Sequence, residues 1–123
     1  MGKQRRPKEL PPPEYFERAL EEEMSMSAEF DLPLTLLLVR AEDELDPETT
    51  RRLLDTLRTA DLVTLPTPSE LAVALPNTDP DGARALGRRV REILPDADVG
   101  LAISEPDDEV PGLLERARAA RNC

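Results

Sequence analysis

The chain has 123 residues, enough for one domain with a single modest hydrophobic core. Its formal net charge of -10 argues against a nucleic-acid partner, because a protein surface that binds nucleic acid is basic. The absence of histidine excludes metal sites and acid–base chemistry that depend on imidazole. The one cysteine, Cys123, cannot form an internal disulfide, residues 32–39 are too short an apolar run to cross a bilayer, and no signal peptide is visible. We therefore expect a cytoplasmic protein with no membrane contact.

The first third of the chain is predicted to form a tail, a helix and a strand. Residues 1–12 are basic in part and end in prolines, so we expect a disordered N-terminal tail followed by one domain over residues 13–123. A proline at position 13 suits the first turn of a helix, and apolar residues recur after it at helical spacing. Residues 34–39 are a nearly continuous apolar run, typical of a strand covered on both faces.

Three further helices and three further strands are predicted downstream. Asp46 and Pro47 suit the N-cap and first position of a helix that buries Leu53, Leu54 and Leu57. Residues 62–65 and 71–75 alternate as strands around a proline-containing turn, which indicates a hairpin. A helix then opens at Asp79 and Pro80, and residues 99–103 and 111–120 are the last strand and the last helix.

This order of elements predicts an α/β (α+β) fold, a ferredoxin-like βαββαβ core with an antiparallel sheet flanked by N- and C-terminal helices. RNA-binding domains share the strand order, but they need aromatic side chains on the sheet to stack on bases. The three aromatic residues, Tyr15, Phe16 and Phe30, all lie outside the predicted strands. The pattern therefore gives no support to an RNA-binding surface.

Arg58 and Asp61 are three residues apart at the end of the second predicted helix, where they can face the same ligand and together complement guanine. A guanidinium group can donate to O6 and N7 of the base, and a carboxylate can accept from the donors on the opposite edge. Such an RxxD pair is common by chance, so its spacing to the following segment carries the signal.

That following segment resembles the GGDEF domains of diguanylate cyclases, which make the bacterial second messenger cyclic di-GMP. Residues 61–63, 67–71 and 72–76 are similar, without a gap, to the family segment DLVxRxGGDEFxVxLP. The likeness extends over about residues 14–122 and is weakest towards the C-terminus.

The resemblance implies that the catalytic loop is degenerate. Diguanylate cyclases hold two metal ions with carboxylates from the first strand and the GGDEF turn. Arg40 falls where the first-strand acid is expected, and Ser69 replaces the acid of the turn. Glu70 matches the motif, but alone we interpret it as a solvated turn acid. The five motif positions here are Thr67, Pro68, Ser69, Glu70 and Leu71. We therefore predict no enzyme activity, no catalytic residues, no metal and no cofactor.

The resemblance also implies a retained ligand site. In the family, an RxxD before the turn and an arginine from the next helix bind an intercalated dimer of cyclic di-GMP, and Arg58, Asp61 and Arg89 match these positions. We expect a cyclic di-GMP receptor that signals to an unidentified protein partner and forms a homodimer when ligand binds. Because neither Arg58 nor Asp61 falls on the leucine face of its helix, we also expect their removal to change stability little.

Two other functions stay open at this point. The first is a nucleotide-independent adaptor that keeps the fold as a dimerisation or docking module. The second is a residual enzyme acting on GTP, which has the least support because an arginine occupies the pocket.

Overall fold

Residues 10–121 form four helices packed on the two faces of a four-stranded antiparallel sheet. A computed structural model describes residues 10–121. The strand order is β2-β3-β1-β4, which is the ferredoxin-like order, so the predicted fold class is confirmed. The elements in chain order are α1 (Pro13–Phe30), β1 (Leu34–Arg40), α2 (Pro47–Leu54), β2 (Leu62–Thr67), β3 (Glu70–Pro76), α3 (Pro80–Ile93), β4 (Asp98–Ile103) and α4 (Val110–Ala119).

The central strand β1 is covered on both faces, as its apolar run predicts. Because successive side chains of a strand point to opposite faces, its leucines divide between two cores. Leu36 and Leu38 lie in a core with residues of α1 and α4, such as Leu20 and Leu113. The alternate residues of β1 join the core of α2 and α3, which includes Leu86. The two helical layers are therefore separated by the sheet.

The predicted helix starts are confirmed at their capping residues. Asp46 accepts a hydrogen bond from the amide of Thr49 at 2.7 Å, which begins α2, and Asp79 accepts one from the amide of Gly82 at 3.0 Å, which begins α3. In both helices a proline follows the cap, where no amide hydrogen is needed. The amide of Thr49 also lowers the pKa of the Asp46 carboxyl, because it stabilises the charged form.

Helix α2 is shorter than predicted. It ends at Leu54, so Leu57 lies in the following turn, where it is only half-buried against the core of α2 and α3. The Thr56 hydroxyl donates to the carbonyl of Leu53 at 2.6 Å. This side-chain bond occupies a carbonyl that a continuing helix would use for a backbone amide, so it favours a turn. As a result Arg58 and Asp61 are in the connection between α2 and β2 and not on a helix.

The hairpin of β2 and β3 is longer and tighter than predicted. Strand β2 continues through Pro66 to Thr67, and the turn is only Pro68 and Ser69. Pro66 is tolerated because β2 is an edge strand and its pairing with β3 is irregular between Thr64 and Thr67. The GGDEF-like segment therefore forms the tip of this hairpin.

The predicted tail lies outside the described residues up to residue 9. Its last residues contact the domain, since Leu10 packs against the core of α2 and α3 and the Pro11 carbonyl accepts from the Thr64 hydroxyl at 2.8 Å. Cys123 also lies outside the described residues. Across residues 10–121, no helix combines the length and apolarity needed to span a lipid bilayer.

Candidate functional site

Arg58 and Asp61 close a tight turn between α2 and β2 through reciprocal hydrogen bonds. The Asp61 amide donates to the Arg58 carbonyl at 3.1 Å, and the Arg58 amide donates to Asp61 Oδ2 at 2.8 Å. The guanidinium completes the contact, since Nη2 and Nε donate to Asp61 Oδ1 at 2.9 and 3.2 Å. The RxxD pair thus has a local structural role, because its side chains and backbone provide hydrogen-bond partners for the polar groups of this turn.

Asp61 is buried, which differs from the expected surface position. Its side chain is 2% exposed, whereas that of Arg58 is 56% exposed. The carboxylate therefore lies behind the guanidinium instead of beside it. A buried carboxylate depends on its hydrogen bonds and its ion pair, so this position argues against the expectation that removing Asp61 changes stability little.

The guanidinium of Arg58 also reaches across to the end of β3. Its Nη2 donates to the Pro76 carbonyl at 3.0 Å and lies 2.8 Å from the Thr78 hydroxyl. Thr78 is itself fixed, because its carbonyl accepts from the buried Thr35 hydroxyl at 2.8 Å and the preceding Asn77 has a left-handed φ of 55°. Sequence reasoning missed Thr78, since nothing in the local pattern indicates a contact 20 residues away.

The three predicted ligand residues line one shallow pocket. Arg58, Asp61 and Arg89 of α3 all line a space of about 220 Å³. Leu75 and Leu86 add apolar surface to its lining. The neighbouring Arg88 is exposed and is not among the lining residues. The structure therefore brings together two arginines that are 31 positions apart in the sequence.

The segment from Thr67 to Leu71 lies at a different place, at the end of the sheet. In the registers of β1 with β3 and β4, Arg40 is paired with Glu70 on one side and with Asp98 on the other. Cross-strand partners project on the same face of a sheet, so a cation stands between two carboxylates. This row is on the face of α1 and α4, whereas the pocket of Arg58 and Arg89 is on the face of α2 and α3.

Glu70 is not a solvated turn acid, and that interpretation is wrong. Its side chain is 12% exposed, and its Oε1 accepts a hydrogen bond from Nη2 of Arg118 in α4 at 3.2 Å. Arg121 lies 3.8 Å from Asp98 in the same way. The sequence did not single out Arg118, because only the packing of α4 on the sheet places it at the hairpin. Over the described part of the chain, no three carboxylate or thiol side chains are arranged to hold a metal ion.

This chain is similar to known proteins in its three-dimensional structure. No protein-family model and no curated protein matches this sequence. Among solved structures, the GGDEF domain of TpbB (YfiN) from Pseudomonas aeruginosa has a TM-score of 0.78 at 19% identity, covering 89% of this chain and 80% of that one.

Two other solved domains are equally similar in fold. The active GGEEF domain of a diguanylate cyclase from Vibrio cholerae has a TM-score of 0.81 at 11% identity, covering 92% of this chain and 89% of that one. The GGDEF domain of DgcB from Caulobacter crescentus, solved with c-di-GMP, has a TM-score of 0.77 at 11% identity, covering 97% and 90%. This chain therefore has the fold of a GGDEF domain.

Proposed function

We propose that this domain is a catalytically inactive GGDEF-like receptor that binds cyclic di-GMP through Arg58, Asp61 and Arg89 and signals to a protein partner. The observation that carries the proposal is the shared pocket of these three residues. The Caulobacter domain of the same fold, solved with c-di-GMP, adds support for this ligand class. The pocket is shallow, which suits the edge of a base better than complete enclosure of a small molecule.

The geometry suggests different roles for the three residues. Arg58 is half exposed and Arg89 is exposed, so both guanidinium groups can donate to a guanine edge or a phosphate. Asp61 is covered by Arg58 and holds its Nε and Nη2. For the Asp61 carboxylate to accept directly from guanine, the Arg58 side chain must first move aside. We therefore assign Asp61 a positioning role in the closed pocket.

Calorimetric titration of the full chain with cyclic di-GMP, with GTP as the control nucleotide, tests the proposal. We expect micromolar or tighter binding of cyclic di-GMP. Arg58→Ala and Arg89→Ala should each weaken it about tenfold to a hundredfold, because each removes charge-assisted hydrogen bonds. Arg88→Ala, on the same helix but outside the pocket, is the matched control and should bind like the wild type. Absence of heat with wild-type protein, or equal affinities of the Arg58 and Arg88 variants, would overturn the receptor function.

The inactivity of the catalytic loop is a second part of the proposal. Arg40 and Arg118 place two positive charges beside Glu70, the one motif acid that is kept, and Ser69 supplies no charge. Cations at these positions oppose the binding of divalent metal ions by electrostatic repulsion. We expect no cyclic di-GMP from GTP with magnesium or manganese, measured by chromatography, and no rescue by Ser69→Asp. Product above a no-protein control would contradict this prediction.

A nucleotide-independent adaptor is the second candidate, and one observation favours it. The Arg58–Asp61 pair already satisfies its turn through four hydrogen bonds, so the motif has a structural reason to exist without any ligand. The same titration separates the two functions. An adaptor shows no response to cyclic di-GMP in wild-type protein, whereas a receptor shows binding that depends on Arg58.

A further inference from the structure

A long groove on the opposite face of the molecule lies between the C-terminal half of α1 and the start of α4. Its volume is about 750 Å³, and its apolar surface comes from Met24, Ala28 and Val110 together with two prolines. An adjoining depression of about 330 Å³ shares Met24 and Ala28 with it and adds Leu32 and Ile103. We call the two together the acidic groove, for the residues on its rim.

Carboxylates surround the apolar surface of the acidic groove. Six acidic residues line it, and none of the described residues that line it is lysine or arginine. One of them, Asp108, is ion-paired with Arg116 at 2.6 Å. The six are Glu21, Glu29, Asp31, Glu105, Asp108 and Glu109. An apolar floor with a rim of one sign of charge is the pattern expected for a surface that binds a molecule of the opposite charge.

Two large aliphatic side chains that line the acidic groove are exposed to solvent. Leu32 and Ile103 are both more than 40% exposed, at 45% and 41%, although each is large and aliphatic. Two exposed aliphatic side chains that line the same depression are typical of a surface that a binding partner covers.

We propose that the acidic groove binds a basic amphipathic helix of a partner protein, with the apolar face of that helix on Met24, Ala28 and Val110 and its lysines or arginines against the acidic rim. Between Glu21 and Glu29 the groove follows α1 for about 12 Å, which matches about two turns of a docked helix. A second copy of this chain does not fit, because it would place acid against acid, and anionic membrane surfaces are repelled for the same reason.

The helix bound in the acidic groove would belong to the signalling partner of the proposed receptor, and this role of the partner rests on the proposed function. The acidic groove is on the face of α1 and α4, and the ligand pocket is on the face of α2 and α3. Binding to the acidic groove can therefore be measured without nucleotide. Failure of the cyclic di-GMP titration and failure of groove binding are distinguishable, because the two are read on separate surfaces with separate variants.

The probe is a synthetic peptide of about four helical turns, stapled into a helix, with leucine on one face and lysine on the other. We expect it to bind the full chain in fluorescence anisotropy. The triple variant Glu21→Lys, Glu29→Lys, Glu105→Lys should bind at least about tenfold more weakly. A control with the same change in net charge elsewhere, Glu42→Lys, Asp43→Lys, Glu44→Lys, should retain at least most of the affinity, since these exposed residues lie outside the acidic groove.

Two further comparisons test the apolar contact and the identity of the occupant. A lysine–glutamine peptide of equal charge should bind about tenfold more weakly than the leucine–lysine peptide. Equal binding of the two peptides, or equal weakening by the two triple variants, would overturn the proposal. Changing Lys3, Arg5, Arg6 and Lys8 to glutamine in the full chain should leave affinity unchanged. A marked increase would instead identify the basic N-terminal segment as the occupant and exclude the partner helix.

Discussion

At the scale of single residues, Asp61 and Glu70 show how position in the fold changes the meaning of a carboxylate. Both acids belong to segments that resemble functional motifs, and both are largely buried and bonded to an arginine. Asp61 is bonded within its own turn, whereas Glu70 is bonded to α4, far along the chain. In each case the bonded arginine is the more exposed member of the pair, so it is the arginine that an incoming ligand or ion meets first.

The burial of Asp61 gives a prediction for stability. Asp61→Ala should lower the free energy of unfolding by about 1–3 kcal/mol, because it leaves the Arg58 amide and guanidinium without their acceptor in the turn. Urea denaturation followed by circular dichroism measures the change. The matched control is Asp55→Ala, which removes an exposed ion pair with Arg51 and should change stability by less than about 0.5 kcal/mol. Equal stabilities of the two variants would show that the turn does not depend on Asp61.

At the scale of secondary-structure elements, the close approach of α4 to β4 positions Arg118 and Arg121. Gly100 allows this approach, since a Cβ placed on it would lie 2.3 Å from the Ala120 carbonyl oxygen and 2.4 Å from that of Ala117. These are backbone atoms, so the helix end itself must move to accept a side chain. Gly100 therefore determines how near the C-terminal arginines come to the acids of the sheet.

Gly100→Ala should destabilise the protein by about 1–3 kcal/mol, because it overpacks the contact between β4 and α4. Gly112→Ala is a matched control within α4, where a Cβ would meet no atom within 4 Å. That variant should stabilise the protein by about 0.5–1 kcal/mol through helix propensity. Urea denaturation of the two variants and the wild type measures the free energy of unfolding, which should fall for Gly100→Ala and rise for Gly112→Ala. A Gly100→Ala variant as stable as wild type would mean that α4 shifts without cost.

At the scale of the whole molecule, the two helical layers give the domain two independent surfaces. One carries the arginines of the proposed ligand pocket, and the other carries the acidic groove. The net charge of -10 repels a second copy, so a dimer needs an attraction that offsets this repulsion. Intercalated cyclic di-GMP presents guanine edges and phosphates on two sides and can contact arginines of two subunits at once.

Saturating cyclic di-GMP should therefore shift the protein from monomer towards dimer, by linkage between ligand binding and association. Higher salt concentration screens the repulsion between the acidic subunits, so the shift towards dimer should then be larger. Multi-angle light scattering with and without ligand measures the mass. An unchanged mass at saturation would contradict the cross-linking arrangement, and Arg89→Ala protein serves as the control that should stay monomeric.

The sequence by itself determined the order of elements, the fold class and the capped starts of α2 and α3, because these depend on local periodicity and on side chains that bond within a few residues. It also identified Arg58, Asp61 and Arg89 as one candidate site. Only the tertiary structure decided the surroundings of those residues. The contact of Arg58 to Thr78 and the ion pair of Glu70 with Arg118 join segments far apart in the chain, and the burial of Asp61 depends on how its turn packs on the domain. Such contacts leave no periodic pattern, since they depend on how the sheet and the helices pack together.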